Sequence, residues 1–137
     1  MDRKIKELLN YGASLLEENK SLTTRLDAEV LMAFLLNKER SFLFMYPDKE
    51  LDDSTIKAYL SLINERKNGK PIAYITNHQE FMGIDFYVNE HVLIPRPDTE
   101  ILVESILKTL NKESPLNILD LGCGSGAIAV SLAYYLP

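Results

Sequence analysis

The chain has 137 residues, of which 46% are hydrophobic and 26% are charged, and it carries a formal net charge of −5 at pH 7. This composition is typical of soluble globular proteins and excludes collagen-like and disordered classes. Its apolar runs are far shorter than the roughly 20 residues that span a bilayer, and charges near the N-terminus exclude a signal peptide, so we expect a cytoplasmic protein without membrane contact.

Apolar side chains recur at helical spacing through the first part of the chain and predict four helices before residue 70. The first runs from Asp2, an available N-cap, to the neighbourhood of Asn19. The second begins with Thr24 and Asp27, three residues apart as in a capping box, and ends near Asn37.

The third and fourth helices are separated by a proline. Ser41 is placed to cap a short helical turn that Pro47 ends, because the residue before a proline is disfavoured in a helix. Asp52 and Asp53 provide the negative charge that suits the start of the fourth helix, and Gly69 follows its last turn.

Aromatic and β-branched residues become frequent after Pro71 and predict a β-hairpin. We expect antiparallel strands at residues 79–82 and 84–89, a turn at Gly83, and a short extended segment at 92–94.

A further helix is predicted to begin at the proline-bounded Arg96, with acidic residues in its first turn. Its expected buried face consists of Ile101, Leu102, Ile106 and Leu110. Ser114 and Pro115 then separate this helix from an apolar strand at 117–121.

That strand leads into a glycine loop that opens a helix, which is the layout of a nucleotide-cofactor loop because bare backbone amides can approach a ligand there. The glycines also fit the dinucleotide-binding pattern, and a plain glycine turn is the simplest alternative. Asp120 favours S-adenosylmethionine, since a carboxylate there would attract an ammonium group and repel a pyrophosphate. We interpret Cys123 as a small loop residue, not as a nucleophile. The predicted cofactor-binding residues are Asp120, Gly122, Cys123, Gly124, Ser125 and Gly126.

Phe81, Arg96 and Pro97 are the candidate substrate-binding residues, because a hairpin and a stiff proline loop beside the glycine loop would form walls of a cleft. Core packing is the alternative for Phe81, and an ion pair with Asp98 or Glu100 is the alternative for Arg96.

Other features indicate which ligands are not expected. His78 and His91 share no metal-ligand spacing with each other or with Cys123, the single cysteine, so we predict no metal site and no disulfide. The net negative charge argues against indiscriminate phosphate binding, and we expect no sequence-specific nucleic acid partner.

Several segments together resemble the HemK/PrmC family of release factor glutamine methyltransferases, and Ile94–Glu100 is highly specific. They are residues 71–75, 78–83, 92–100 and 120–129, with Leu26–Glu29 in the helical region. Asn77 stands where glycine is common in the family, and asparagine tolerates the positive φ that such a turn needs.

The resemblance implies an α+β fold: an N-terminal helical bundle, a β-hairpin linker, and the first strand and helix of a truncated Rossmann-like methyltransferase sheet. The implied domains are 1–70 for release factor recognition, 71–96 for the linker and 97–137 for the start of the methyltransferase domain. The implied reaction transfers a methyl group from S-adenosylmethionine to the glutamine of the GGQ motif in a peptide chain release factor. The family's Asn-Pro-Pro-Tyr motif is absent, so no catalytic residue is assigned, and we expect residues 1–137 alone to be inactive.

Three other functions stay open on the sequence: a non-catalytic helical protein-binding domain, a nucleic-acid adenine methyltransferase and a nicotinamide enzyme.

Overall fold

The computed structural model describes residues 3–17, 23–110 and 117–136, and these form seven helices and two strands. The chain divides into two compact units, Met1–Thr76 and Asn77–Pro137. This mixture of helices with a small antiparallel sheet confirms the α+β class. Asp2, Asn19, Ser114 and Pro115, which marked predicted boundaries, lie outside the described residues.

The first unit is helical. Its elements are α1 Ile5–Glu17, α2 Thr24–Leu36, α3 Arg40–Met45, α4 Asp53–Lys67 and α5 Ile72–Thr76. The four predicted helices are therefore confirmed, whereas α5 was not predicted. Its aromatic and β-branched residues favour strands, so the sequence pattern did not indicate a helix there. The helix begins where the Pro71 carbonyl accepts hydrogen bonds from two amides.

Two of the predicted caps are wrong, and Asp52, which was predicted to supply negative charge at the start of the fourth helix, is its N-cap residue. The N-cap residue of α2 is Thr23, which makes no side-chain cap hydrogen bond, so Thr24 lies inside the helix and no capping box forms. The N-cap of α3 is Glu39 and not Ser41. Asp52 does cap α4, because its carboxylate accepts a hydrogen bond of 2.8 Å from the Thr55 amide.

A close approach between α1 and α4 organises the core of this unit. Tyr59 is fully buried, and its hydroxyl donates a 3.4 Å hydrogen bond to the Ala28 carbonyl of α2. Gly12 on α1 faces that ring, and a Cβ atom at this position would overlap the hydroxyl and lie 3.0 Å from Cζ. Glycine at position 12 therefore sets how closely the two helices pack.

Two buried carboxylates join α2 to its neighbours. Asp27 accepts a 2.7 Å hydrogen bond from Arg66 Nε of α4, which occupies the carboxylate that the predicted capping box would have used. Glu29 is only 5% exposed and accepts hydrogen bonds of 2.8 Å from both Arg25 and Arg40. Burial tends to raise the pKa of Glu29, but the hydrogen bonds and charges of Arg40 and Arg25 outweigh it and lower the pKa.

The second unit contains the hairpin and two helices. Strand β1, His78–Phe81, pairs antiparallel with β2, Ile84–Tyr87, so that His78 lies opposite Tyr87. The predicted strands are present, but each ends earlier than expected, and Met82 belongs to the turn. Before β1, Asn77 has a φ of 55°, the left-handed conformation expected there, and its side-chain amide donates a 3.0 Å hydrogen bond to the Val88 carbonyl.

The helices of this unit are α6, Pro97–Thr109, and α7, Ala127–Tyr135. The predicted buried face of α6 is wrong, since Ile101 and Leu102 are exposed and Val103 is fully buried. Glu100 bonds to the hairpin turn, and Val103, one turn further along, faces the same way.

Two predicted extended segments do not form strands. Residues 92–94 follow an irregular path, and residues 117–120 have no ladder partner in the part of the chain that the structure describes. A strand exists only with a hydrogen-bonded neighbour, and Leu119 and Leu121, which the sequence placed in an apolar strand, are 80% and 83% exposed. Within the described ranges, no helix is long and apolar enough to cross a membrane.

We expect Gly12→Ala to lower the free energy of unfolding by about 1–3 kcal/mol, because overpacking against a buried ring outweighs the better helix propensity of alanine. Urea unfolding measures the loss. Tyr59→Phe removes the atom that the new methyl group would overlap, so the same glycine substitution should cost less in that background. Equal losses in the two backgrounds would contradict this account of the helix contact.

We expect Glu29→Gln to destabilise the chain by about 1–3 kcal/mol at pH 7, since a buried charged acceptor is lost. The folded-state pKa of Glu29 lies below its ordinary value of 4.5. The carboxylate therefore stabilises the fold above about pH 4.5, and this contribution disappears as the pH falls through the lowered folded-state pKa. Urea titrations at several pH values should show the variant and the parent converging in acid. Exposed Glu17, changed to Gln, is the control and should shift stability little at any pH.

Candidate functional site

The loop before α7 has an unusual backbone. Gly122, Gly124 and Gly126 have φ angles of 76°, 55° and 78°, so alternate residues adopt the left-handed conformation that side-chain-bearing residues avoid. A Cβ atom at Gly122 or Gly124 would meet nothing within 4 Å. Backbone conformation, and not crowding inside the protein, therefore requires glycine at these two positions, and the space in front of them is open to a ligand.

The same loop leads into α7, whose N-terminus has no side-chain cap. Gly126 is the N-cap residue of α7 and offers no side chain to the free amides of the first turn. Its own amide donates a 2.8 Å hydrogen bond to the Cys123 carbonyl, which closes the turn. The positive end of the helix dipole thus lies directly behind the glycine loop, where it favours a negatively charged or strongly polar ligand group.

A cavity of about 220 Å³ lies against this loop. Its wall is formed by β1, by the segment that leads into α6, by the glycine loop and by the first turn of α7. The lining residues are Phe81, Leu93, Ile94, Pro95, Arg96, Thr99, Gly122, Cys123, Gly124, Ser125, Ala127 and Ile128. The structure thereby brings Phe81 and Arg96 next to the predicted cofactor loop, although they are far from it in sequence.

Three of the predicted site residues do not line the cavity. Pro97 begins α6 and is exposed, Gly126 caps α7, and Asp120 precedes the loop. Asp120 nevertheless has a property that fits a binding role: its Oδ2 atom is buried and has no hydrogen-bond partner among the described residues. A buried carboxylate oxygen without a donor is costly, and a cationic ligand group would supply what is missing.

Arg96 is free of the ion pairs that were its alternative explanation. It is exposed at the N-cap of α6, and neither Asp98 nor Glu100 pairs with it among the described residues. The carboxylate of Glu100 accepts a 2.7 Å hydrogen bond from the Met82 amide instead. Arg96 therefore lines the cavity without an ion pair to either of these acids.

Phe81 is both a core residue and part of the cavity wall. It is 1% exposed and packs edge-on against Phe86, with ring centroids 6.2 Å apart. One side of the ring therefore belongs to the core of the second unit, while the residue also forms part of the cavity wall. Cys123 is a free, exposed thiol in the same lining.

The sequence did not single out Thr99, Ala127 or Ile128 as lining residues. Thr99 follows Arg96 by three positions, which is one helical turn, and this spacing was a usable signal once α6 had been placed. Ala127 and Ile128 belong to the first turn after the glycines, which faces any ligand held by the loop. Leu93 and Ile94 were recognised only as part of the segment that resembles the family, whereas Pro95 belongs to the proline-bounded loop that was expected to form a cleft wall.

Comparison of the sequence with protein-family models and with curated proteins gives matches to the same family. A family model described as the PrmC N-terminal domain matches residues 7–76. The chain is 42% identical over 132 residues to a protein of Clostridium acetobutylicum named release factor glutamine methyltransferase, covering 96% of this chain and 46% of that protein.

Proteins with the same name from two other bacteria are similarly close. The one from Koribacter versatilis is 43% identical, covering 97% of this chain and 48% of its own length. The one from Coxiella burnetii is 48% identical, covering 85% of this chain and 42% of its own length. The chain thus spans about half the length of the curated relatives that it matches.

Proposed function

The chain belongs to the PrmC N-terminal domain family, and from this we propose that it is part of an S-adenosylmethionine-dependent methyltransferase that modifies the GGQ glutamine of a peptide chain release factor. The relatives' shared name supports the reaction and the substrate. In this proposal residues 1–70 recognise the release factor, 71–96 form the hairpin linker and 97–137 begin the methyltransferase domain. A release factor substrate also implies a cytoplasmic protein.

The observation that carries the proposal is the buried Oδ2 of Asp120, which has no hydrogen-bond partner in the part of the chain that the structure describes and which precedes a loop of left-handed glycines. S-adenosylmethionine has an ammonium group, which offers the donors that Asp120 lacks. The backbone amides of Gly122–Gly126 and the N-terminus of α7 suit the ligand's polar and anionic groups. The residues present therefore fit this cofactor, which supplies an electrophilic methyl group on a positive sulfonium.

A nicotinamide dinucleotide fits the same residues less well. Its pyrophosphate is negatively charged, and the carboxylate of Asp120 precedes the first glycine by two positions. Like charges held close together in a partly buried site repel each other. Asp120 thus supports a cationic methyl donor over a dinucleotide.

The target of the reaction requires positioning. A glutamine amide nitrogen is a weak nucleophile because its lone pair is delocalised into the carbonyl, so the side chain must be oriented toward the methyl group. Phe81 and Arg96 lie at the cavity beside the loop, and we propose that they and Pro97 contribute to the substrate side of the cleft. No residue of this chain is assigned as catalytic.

The helical unit offers a surface suited to a protein partner. Phe44, Met45 and Tyr46 are consecutive and are 59%, 65% and 51% exposed. Contiguous exposed apolar residues mark interaction surfaces more often than isolated ones do. This patch supports the proposal that residues 1–70 recognise a release factor.

Cys123 provides a direct assay for the ligand. As the single cysteine, exposed in the cavity lining, it should react with a thiol reagent. We expect S-adenosylmethionine to slow this alkylation, and Asp120→Asn to raise the half-protecting concentration about tenfold or more, because a charge-assisted hydrogen bond is lost. Glu104→Gln, at an exposed acid on α6, is the matched control and should protect like the parent. Protection by a nicotinamide dinucleotide but not by S-adenosylmethionine would reject the proposed cofactor.

A hybrid enzyme tests the reaction. Residues 1–137 are joined to the remaining half of the Clostridium acetobutylicum relative, and a release factor is analysed by mass spectrometry for one added methyl group on its GGQ glutamine. We expect transfer by the hybrid and a large loss with Asp120→Asn, since the substituted residue comes from this chain. Glu104→Gln is again the control. Methyl transfer to adenine in DNA, without transfer to the release factor, would favour the nucleic-acid methyltransferase.

A further inference from the structure

We propose that Glu100 and Tyr135 are positioning residues that hold Phe81 against the glycine loop by clamping the backbone of Met82 from two helices. We call these two hydrogen bonds the hairpin clamp. What the cavity binds rests on the proposed function, whereas the clamp itself is a property of the second unit.

The hairpin turn requires support from outside. Met82 and Gly83, the residues between β1 and β2, have φ angles of 53° and 70°. Positive φ at both central positions describes the mirror-image turn that suits a twisted hairpin, and Asn-Gly is its preferred sequence. Methionine has no local side-chain hydrogen bond with which to favour this conformation, so contacts from elsewhere must hold it.

Those contacts satisfy both backbone groups of Met82. Its amide donates a 2.7 Å hydrogen bond to Glu100 Oε1, and its carbonyl accepts a 2.8 Å hydrogen bond from the Tyr135 hydroxyl. The Gly83 amide donates to Glu80 Oε1 at 3.1 Å within the hairpin. A Cβ atom at Gly83 would lie 3.7 Å from the Tyr135 hydroxyl, which shows that this side chain lies over the turn.

The clamp connects the turn to the two helices that contribute residues to the cavity wall. Phe81 directly precedes Met82 and lines the cavity. Glu100 lies in the first turn of α6, next to the lining residue Thr99. Tyr135 is the last residue of α7, whose first residue, Ala127, also lines the cavity. Helix α7 therefore follows the glycine loop directly at its first residue and contacts the hairpin turn through its last residue.

This arrangement makes the place of Phe81 depend on both helices. With either hydrogen bond removed, Met82 is free to leave the left-handed conformation, and the adjoining Phe81 ring loses its fixed distance from the loop. Neither Glu100 nor Tyr135 lines the cavity. Their effect on a ligand is therefore indirect, through Phe81.

The test compares Glu100→Ala and Tyr135→Phe with controls that lack the clamp role. We expect each variant to raise the concentration of S-adenosylmethionine that half-protects Cys123 by roughly fivefold, the loss typical of one hydrogen bond. Measurements are made where thermal melts show every variant to be fully folded. Glu100→Gln keeps an oxygen that accepts the Met82 amide and should restore most of the affinity.

The controls are neighbours of the same type. Glu104→Ala removes an exposed carboxylate one turn along α6, and Tyr134→Phe removes a hydroxyl on the residue beside Tyr135. Both should bind like the parent. Folded clamp variants that also bind like the parent, or a Glu100→Gln variant as weak as Glu100→Ala, would overturn the proposal.

A ligand-free measurement separates this inference from the proposed function. Hydrogen exchange of the Met82 amide, followed by NMR, should quicken in Glu100→Ala and Tyr135→Phe but not in the controls. If the parent binds no S-adenosylmethionine, the proposed cofactor is rejected. The exchange rates of the Met82 amide still test the clamp, because they are measured without a ligand. Unchanged exchange at Met82 in both clamp variants would overturn it.

Discussion

The second unit depends on a backbone constraint, the left-handed conformation of alternate glycines between Leu121 and Ala127. Because Gly122, Gly124 and Gly126 turn the chain there, α7 begins at the cavity and ends at the hairpin turn. The same conformation leaves open space in front of the first two glycines and an uncapped helix N-terminus behind them. A side chain at Gly122 or Gly124 would cost both the turn and the close approach of a ligand.

The helical unit is organised by different physics. Its helices are joined by apolar packing around Tyr59 and by two buried carboxylates that each have an arginine partner. A buried acid that loses its partner is strongly destabilising, so the Leu26–Glu29 segment has a structural explanation that needs no ligand. The segments that resemble the family therefore have different physical roles in the two units. In the first unit they form packing contacts and ion pairs, and in the second they line a cavity beside a glycine loop.

Local signals predicted α1 to α4 and the hairpin, but α5 and features that depend on distant residues were missed. Asp27 looked like a capping residue because Thr24 precedes it by three positions, yet Arg66 on another helix takes its carboxylate. The buried face of α6 was predicted wrongly because Glu100 accepts a hydrogen bond from the hairpin turn, which orients the helix. This contact joins residues 18 positions apart, so the spacing of apolar residues within α6 could not reveal it. The strand at 117–121 was read from apolar residues that have no ladder partner among the described residues. For the site, glycine spacing and Asp120 predicted a cofactor loop, and Phe81 and Arg96 line a cavity with that loop as the sequence led us to expect, whereas the lining positions of Thr99 and Ile128 became visible only in the fold.

The central claim is that Asp120 and the glycine loop together bind a methyl donor through its ammonium group. A crystal structure of the chain with S-adenosylhomocysteine, the donor without its methyl group, tests this most directly. The account predicts that the ligand lies in the cavity beside Gly122–Ser125, with its amino nitrogen roughly 2.7–3.2 Å from Asp120 Oδ2, the range of a direct hydrogen bond. A ligand bound elsewhere, or bound at the loop with Asp120 Oδ2 still unpaired, would contradict it.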